Sequence, residues 1–461
     1  MERAEQRQRP RGLAGVRILV VDPIGQALDW CLKCQLAGHN IRWFIRPHDG
    51  EPSPIGDGMV RKVDEWQSHA ERWADLVVVT DNTTYLRELD ALRTRGVPVF
   101  AASQPLAELE LNRQRGQDFL AECGIDVLPA QEFRDYDKAI AYVKRTGRRL
   151  VSKPNAEDDK SLSYLAKNPA DMVFMLERWK AIGKLKDSFL LQDFVPGTEV
   201  AVGGWITPRG FLDPVLENFE HKKLMSGDKG PNTGEMGTVA RYSSFERSSL
   251  AQKLLKPLEE RLAAMGAATY VDVAAIVDED GTPWPLEFTC RFGWPTFNLQ
   301  TSMHRGDPAE WMAVACVGGD ALQVDPRICT GVLMAIPHFP YSKGLRKDVV
   351  GFPLYSLDEV EDLLPKSAHG FHPCEVMLGR APVMEGDKVV ERETLVSAGD
   401  YIGIATGLDD TVLESRKRAY KVLESIEMPS SPFYRDDIGL RLEKQLPLLK
   451  THGFCKGWTY E

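Results

Sequence analysis

Glu287, Thr289 and Arg291 alternate with Phe288, Cys290 and Phe292 inside the run Leu286 to Pro295. On an extended chain this alternation turns a carboxylate, a hydroxyl and a guanidinium to one face and the apolar side chains to the other. A carboxylate suits a hard cation and a planar guanidinium suits an oxyanion, so the expected chemistry is that of a metal-bound phosphate. A second run, GDKGPNTGEMG from Gly227 to Gly237, is too rich in Gly, Pro, Asn and Thr for a helix or a central strand. It predicts an ordered loop whose backbone N–H groups receive an anion.

Composition excludes other functions. A length of 461 residues implies about three domains, and 43% hydrophobic residues suffice for ordinary cores. The net charge of -10 argues against a nucleic-acid surface, and Arg3, Arg7, Arg9 and Arg11 read as a solvated basic arm. No apolar run approaches the roughly 20 residues that span a bilayer, and the first residues lack the apolar stretch of a signal peptide, so a cytoplasmic protein is expected, with no membrane partner. Of eight cysteines only Cys31 and Cys34 form a CxxC pair, one turn apart on an expected helix and with no second pair; they read as reduced structural thiols. The nine histidines show no metalloprotease spacing, and no serine sits in a nucleophile elbow.

The elements expected to position these groups begin with strands at Val16–Val21, Asn40–Ile45, Leu76–Thr80 and Val97–Ala101. Helical stretches alternate with them, Leu86–Thr94 most clearly, which predicts an open parallel doubly wound sheet. Leu106–Cys123 reads as one helix, Arg148–Lys153 and Ser188–Phe194 as strands around a helix at Ala170–Ile182, and Val200–Ile206 as a further strand. A helix over Ser248–Met265 and a hairpin of Tyr270–Val277 with Trp284–Phe292 follow. Gly318, Gly319 and Pro326 mark a boundary. Beyond it, Tyr401–Thr406 reads as a strand and Thr411–Ile426 as a helix capped by Asp409 or Asp410. The expected domains are 14–105, 106–325 with a small lobe at about 125–195, and 326–445.

Both runs, with His221-Lys222-Lys223 ahead of the glycine loop and Tyr434-Arg435-Asp436-Asp437-Ile438-Gly439 near the end, resemble the phosphoribosylamine–glycine ligase (glycinamide ribonucleotide synthetase) family of ATP-grasp ligases. The resemblance covers most of the chain. It implies an N-terminal open sheet, a two-lobed ATP-grasp core and a small mixed C-terminal domain. It also implies ATP with Mg²⁺ or Mn²⁺ as cofactors, small-molecule amino acid and amine substrates, no nucleic acid, a monomer or homodimer, and a place in purine biosynthesis.

Residue by residue, it implies that Lys153 and Arg113 bind phosphate, that Gln192, Asp193 and Val195 form the adenine hinge with Phe194, and that Glu199 holds the ribose. Glu287 and Thr289 would bind metal, and Arg291 would stabilise the transferred phosphoryl group. His221, Lys222, Asn232, Thr233 and Gly234 would bind substrate together with Arg291, and Lys160 would stand for the lid lysine. Asp272, on the partner strand, is a further candidate for the metal face.

The chain departs from the family at several points. Thr289 replaces Asn and Glu235 replaces a glycine. Trp294 and Thr296 replace an acidic pair. Asp22-Pro23-Ile24-Gly25-Gln26-Ala27-Leu28 replaces a glycine-rich basic turn, and Glu157-Asp158-Asp159-Lys160-Ser161 replaces the glycine-rich lid. The expected activity is ATP-dependent joining of a carboxylate to an amine through an acyl phosphate, releasing ADP and phosphate. A ligase for another amino acid and amine, or a silent nucleotide-binding homologue, are the alternatives.

Overall fold

The computed structural model describes residues 15–154, 162–184, 188–341, 347–355 and 369–461. Near its start, β1 (Arg17–Val21), β2 (Asn40–Phe44), β3 (Leu76–Val79) and β4 (Val99–Phe100) form a parallel sheet in the order β2-β1-β3-β4. Their runs RILVV and LVVV are apolar almost throughout because helices cover both faces of a parallel sheet. The helix Leu28–Leu36 buries Trp30, Cys31, Leu32 and Cys34, and all eight cysteines are free thiols.

A small antiparallel lobe follows. It has the order β5-β8-β6-β7, made of β5 (Ala130–Phe133), β6 (Leu150–Pro154), β7 (Tyr164–Leu165) and β8 (Phe189–Asp193). The helices Tyr136–Thr146 and Pro169–Ala181 pack on it around Phe189, Leu191 and Trp179. Lys160 and its acidic neighbours lie outside the described residues.

The largest sheet contains β9 (Thr198–Thr207), β10 (Gly210–Phe211), β11 (Val215–Glu220), β14 (Gly237–Ser243), β15 (Thr269–Val277), β16 (Pro283–Thr289), β17 (Ile328–Ala335), β18 (His369–Pro373) and β21 (Tyr401–Asp409). Its order is β16-β15-β9-β11-β14-β17-β21-β18, with β10 on β9. Two hairpins lie outside it: β12 (Lys223–Met225) with β13 (Lys229–Asn232), and β19 (Val376–Glu385) with β20 (Lys388–Ser397). The sheet runs unbroken across position 326, so strands of the expected third domain hydrogen-bond directly to strands of the core.

Several elements differ from expectation for identifiable reasons. Leu106–Cys123 is two helices, Gln104–Leu111 and Arg113–Glu122, because Asn112 leaves helical geometry and its side chain caps the second helix through the Arg115 N–H. Such a cap contributes about 1 kcal/mol. Pro257 divides Ser248–Met265 into Ser249–Leu254, a short 3-10 turn and Glu259–Ala263, since a mid-helix proline removes a donor. The late helix runs Val412–Glu424 and is capped by Thr411, not by Asp409 or Asp410. The glycine-rich run is partly a strand, β13, folded back on β12. Finally, the strand expected to reach Phe292 ends at Thr289.

Candidate active site

A cleft of about 870 Å³ opens between the small lobe, the large sheet and the C-terminal ends of the parallel strands. This is within the size range of small-molecule sites, about 300–1,000 Å³. Glu287 and Thr289 reach it from β16, Arg291 from the turn just beyond, and Arg113 from the first residue after the Asn112 break. The break does positional work: a continuous helix would carry Arg113 around its axis with no change of direction at the cleft.

Glu287 is the hub. Arg113 approaches its Oε2 at 2.7 Å and Lys222 Nζ its Oε1 at 3.4 Å. Lys222 also pairs with Glu220 at 3.0 Å and Glu199 at 3.1 Å. Burial works to raise the Glu287 carboxyl, but Arg113, Lys222 and Lys153 outweigh it and hold the group well below the usual carboxylate range. Burial likewise works to lower Lys222, and Glu199, Glu220 and Glu287 reverse that, holding it well above a normal lysine. Lys153, at the end of β6, lacks such compensation: burial and then Arg113 bring it down to about 7. Cations crowded at one wall in this way are costly unless an anion is expected there.

Arg291 is aimed by a residue the sequence gave no reason to select. Glu110 accepts from Arg291 Nε at 3.1 Å, from Asn82 Nδ2 at 2.9 Å and from the Cys290 N–H at 2.6 Å. Glu110 lies on a helix 181 positions before Arg291 in the chain, and local pattern carries no sign of such a contact. Glu220 was missed too, although it directly precedes His221 and Lys222 on the edge of β11.

Asn232, Thr233 and Gly234 line the cleft as the resemblance implies, and Thr233 is fixed by bonds from its N–H and hydroxyl to the Lys222 carbonyl. His221 does not line the cleft. It is fully buried, its Nε2 accepts from the Gly439 N–H at 3.0 Å, and burial keeps the ring neutral. The segment ending at Gly439 fastens the glycine-rich hairpin from below: Arg435 pairs with Asp228 at 3.0 Å, and Asp437 accepts from the Gly227 N–H at 2.8 Å.

At the hinge, Gln192 is buried within β8 and Asp193 is paired with Arg148, so neither side chain turns to the cleft. The N–H groups of Asp193 and Phe194 are taken by the carbonyls of Pro129 and Arg149. Val195 is the first hinge position left without a backbone bond among the described residues. Asp272 is buried and accepts from Asn218 at 2.9 Å and Tyr270 at 3.0 Å, and burial, then Glu220, raise it to about 7. A carboxyl so occupied is a poorer metal ligand than Glu287.

Among the described residues no three His, Cys, Asp or Glu gather into a cage for a metal ion. Glu287, held by Arg113 and Lys222, and Thr289 are the oxygen groups on the cleft that would suit a hard cation such as Mg²⁺.

Residues 112–297 match the family model described as Phosphoribosylglycinamide synthetase, ATP-grasp (A) domain. Among curated proteins, the phosphoribosylamine–glycine ligase of Salmonella typhimurium is 26% identical over 364 residues, covering 77% of this chain and 80% of that protein. That of Vibrio cholerae is 27% identical over 367 residues, with the same coverage. Among solved structures, phosphoribosylamine–glycine ligase from Thermotoga maritima superposes with a TM-score of 0.68 at 18% identity, covering 92% of this chain and all of that one. The L-amino acid ligase of Bacillus licheniformis gives 0.54 at 14% identity over 91% of this chain and 99% of that one.

Proposed function

We infer that this chain, a divergent member of the ATP-grasp ligases related to phosphoribosylamine–glycine ligase, joins a carboxylate to an amine at the expense of ATP. The observation that supports this most is the pairing of Arg113 and Lys222 with the single carboxylate Glu287, with Lys153 near enough to act on its charge and Arg291 held in the same cleft by Glu110.

Phosphoryl transfer to a carboxylate brings anion against anion, so it needs fixed positive charge and exclusion of water from the acyl phosphate. In this reading Arg113, Lys153 and Lys222 take the phosphates of ATP, Val195 meets the adenine through its backbone, and Glu199 meets the ribose. Glu287, with Thr289 beside it, holds Mg²⁺ or Mn²⁺, which neutralises phosphate charge when bound. Arg291 stands where the transferred group gathers charge, its plane fixed by Glu110 in advance. Asn232, Thr233 and Gly234 contact the substrates, and the rings of Trp294, Phe339 and Tyr401 also line the cleft. The attacking carboxylate gives an acyl phosphate and ADP, and the amine then displaces phosphate to leave an amide.

Among the described residues no helix is long and apolar enough to cross a membrane. A cytoplasmic enzyme acting on small molecules, as a monomer or homodimer, completes the reading. ADP release measured over a panel of amino acids and amines tests it. Release that requires both an acid and an amine supports a ligase; nucleotide binding without ADP from any pair supports a silent homologue.

A further inference from the structure

The cleft changes character beyond Arg291. Glu199, Glu220 and Glu287 share the cation Lys222, whereas Asp81 and Glu235 line the cleft with no ion-pair partner among the described residues. Both lie close enough to influence the charge of Arg291. Glu235 is 8% exposed, accepts from the Thr238 hydroxyl and shares a hydrogen bond with the Glu220 carboxyl; burial, then Glu220, hold its own carboxyl well above the usual carboxylate range. Beside it Tyr401 lines the same wall, is likewise 8% exposed, and its hydroxyl has no partner among the described residues. Two buried acids held against each other, one keeping its proton, and a buried hydroxyl without an acceptor are both costly until a cationic ligand meets them.

The nearby helix start also offers little to an anion. The turn before Leu28–Leu36 directs backbone N–H groups at the carboxylate of Asp22, which accepts from Ala27 at 2.7 Å and from the Thr80 hydroxyl at 2.7 Å. The seat that a phosphate would take at this terminus is filled by the chain's own acid. Pro23 and Ile24, which present no donor side chain, line the cleft there. Arg46 lines it as well but is exposed, where water and salt screen it.

We propose that the second substrate is a phosphate-free amine carrying an additional positive charge, its ammonium held by Glu235 and the Tyr401 hydroxyl. This rests on the ligase reading above, and departs from the phosphate-bearing amine in the names of the relatives.

The test is steady-state ADP release by the full chain with Mg-ATP and a saturating amino acid, comparing 1,4-diaminobutane with butylamine, O-phosphoethanolamine and 5-phosphoribosylamine. The diamine should exceed the others in kcat/KM by about tenfold or more, the scale of one buried charge contact. Glu235→Gln should remove most of that preference. Tyr401→Phe, which deletes one hydroxyl and no bulk, should weaken it in the same direction. Equal rates for diamine and butylamine, faster turnover of either phosphorylated amine, or no turnover of any cationic amine by an enzyme that binds Mg-ATP would each overturn the proposal. Absence of Mg-ATP binding altogether would instead remove the ligase reading, and this proposal with it.

Discussion

Arg291 shows what a single side chain contributes that its charge alone does not. Its guanidinium is half of a fork whose plane is set by Glu110 and by a bond to the Phe292 carbonyl at 3.0 Å. A lysine ammonium at this position keeps the charge and loses the plane. Arg291→Lys is therefore expected to lower kcat about 100-fold while the midpoint of thermal unfolding moves little; unchanged kinetics would remove Arg291 from the chemistry. The placement of this stretch was legible because Glu287, Thr289 and Arg291 alternate with apolar residues, and all three do line the cleft. Glu110 was not legible, since a lone acid on a helix face carries no mark of a partner so distant in the chain. His221 misled for the opposite reason: it stands in the resembled motif, yet it serves the backbone of Gly439 inside the protein.

At the scale of elements, boundaries follow local chemistry more than apolar period. Periodicity alone joins Leu106–Cys123, whereas the cap preference of Asn112 divides it and brings Arg113 to the cleft. The strands were legible from β-branched runs; the pairing of β12 with β13 was not, because glycine and proline in the run argue against any strand.

The join between β18 and β19 carries a prediction of its own. Glu375 accepts from the Tyr401 N–H at 3.0 Å, and burial, then the nearby Asp400, raise its carboxyl to about 7. A raised carboxyl keeps its proton longer when folded, so its contribution is complete below the unfolded value near 4.5 and is lost as pH rises through 7. Urea unfolding between pH 4.5 and 7 should show this group removing on the order of 1–2 kcal/mol of stability as pH rises. Glu375→Gln should flatten that slope; an unaltered slope would show that Glu375 titrates normally.

At the scale of the molecule, the N-terminal sheet is tied to the large sheet by buried polar bonds. The neutral ring of His372 on β18 donates from Nδ1 to Asp29 at 2.6 Å, and its Nε2 faces the Ser302 hydroxyl at 2.7 Å. Trp30 and Lys33 reach the carbonyls of Pro308 and Thr301. The bonds from Asp29, Trp30 and Lys33 join residues more than 260 positions apart, which no single-sequence pattern exposes. The architecture itself was legible, because an alternation of strands and helices followed by long apolar strands leaves few arrangements.

The most direct test of the central claim is equilibrium binding of ATP to the native chain and to Glu287→Gln, each with and without Mg²⁺. Binding by the native chain should tighten about tenfold or more when Mg²⁺ is added, and the variant should lose most of that gain. Equal affinity of the native chain with and without Mg²⁺, or a metal-dependent gain that survives in Glu287→Gln, would contradict the assignment of the metal-bound phosphates to this carboxylate.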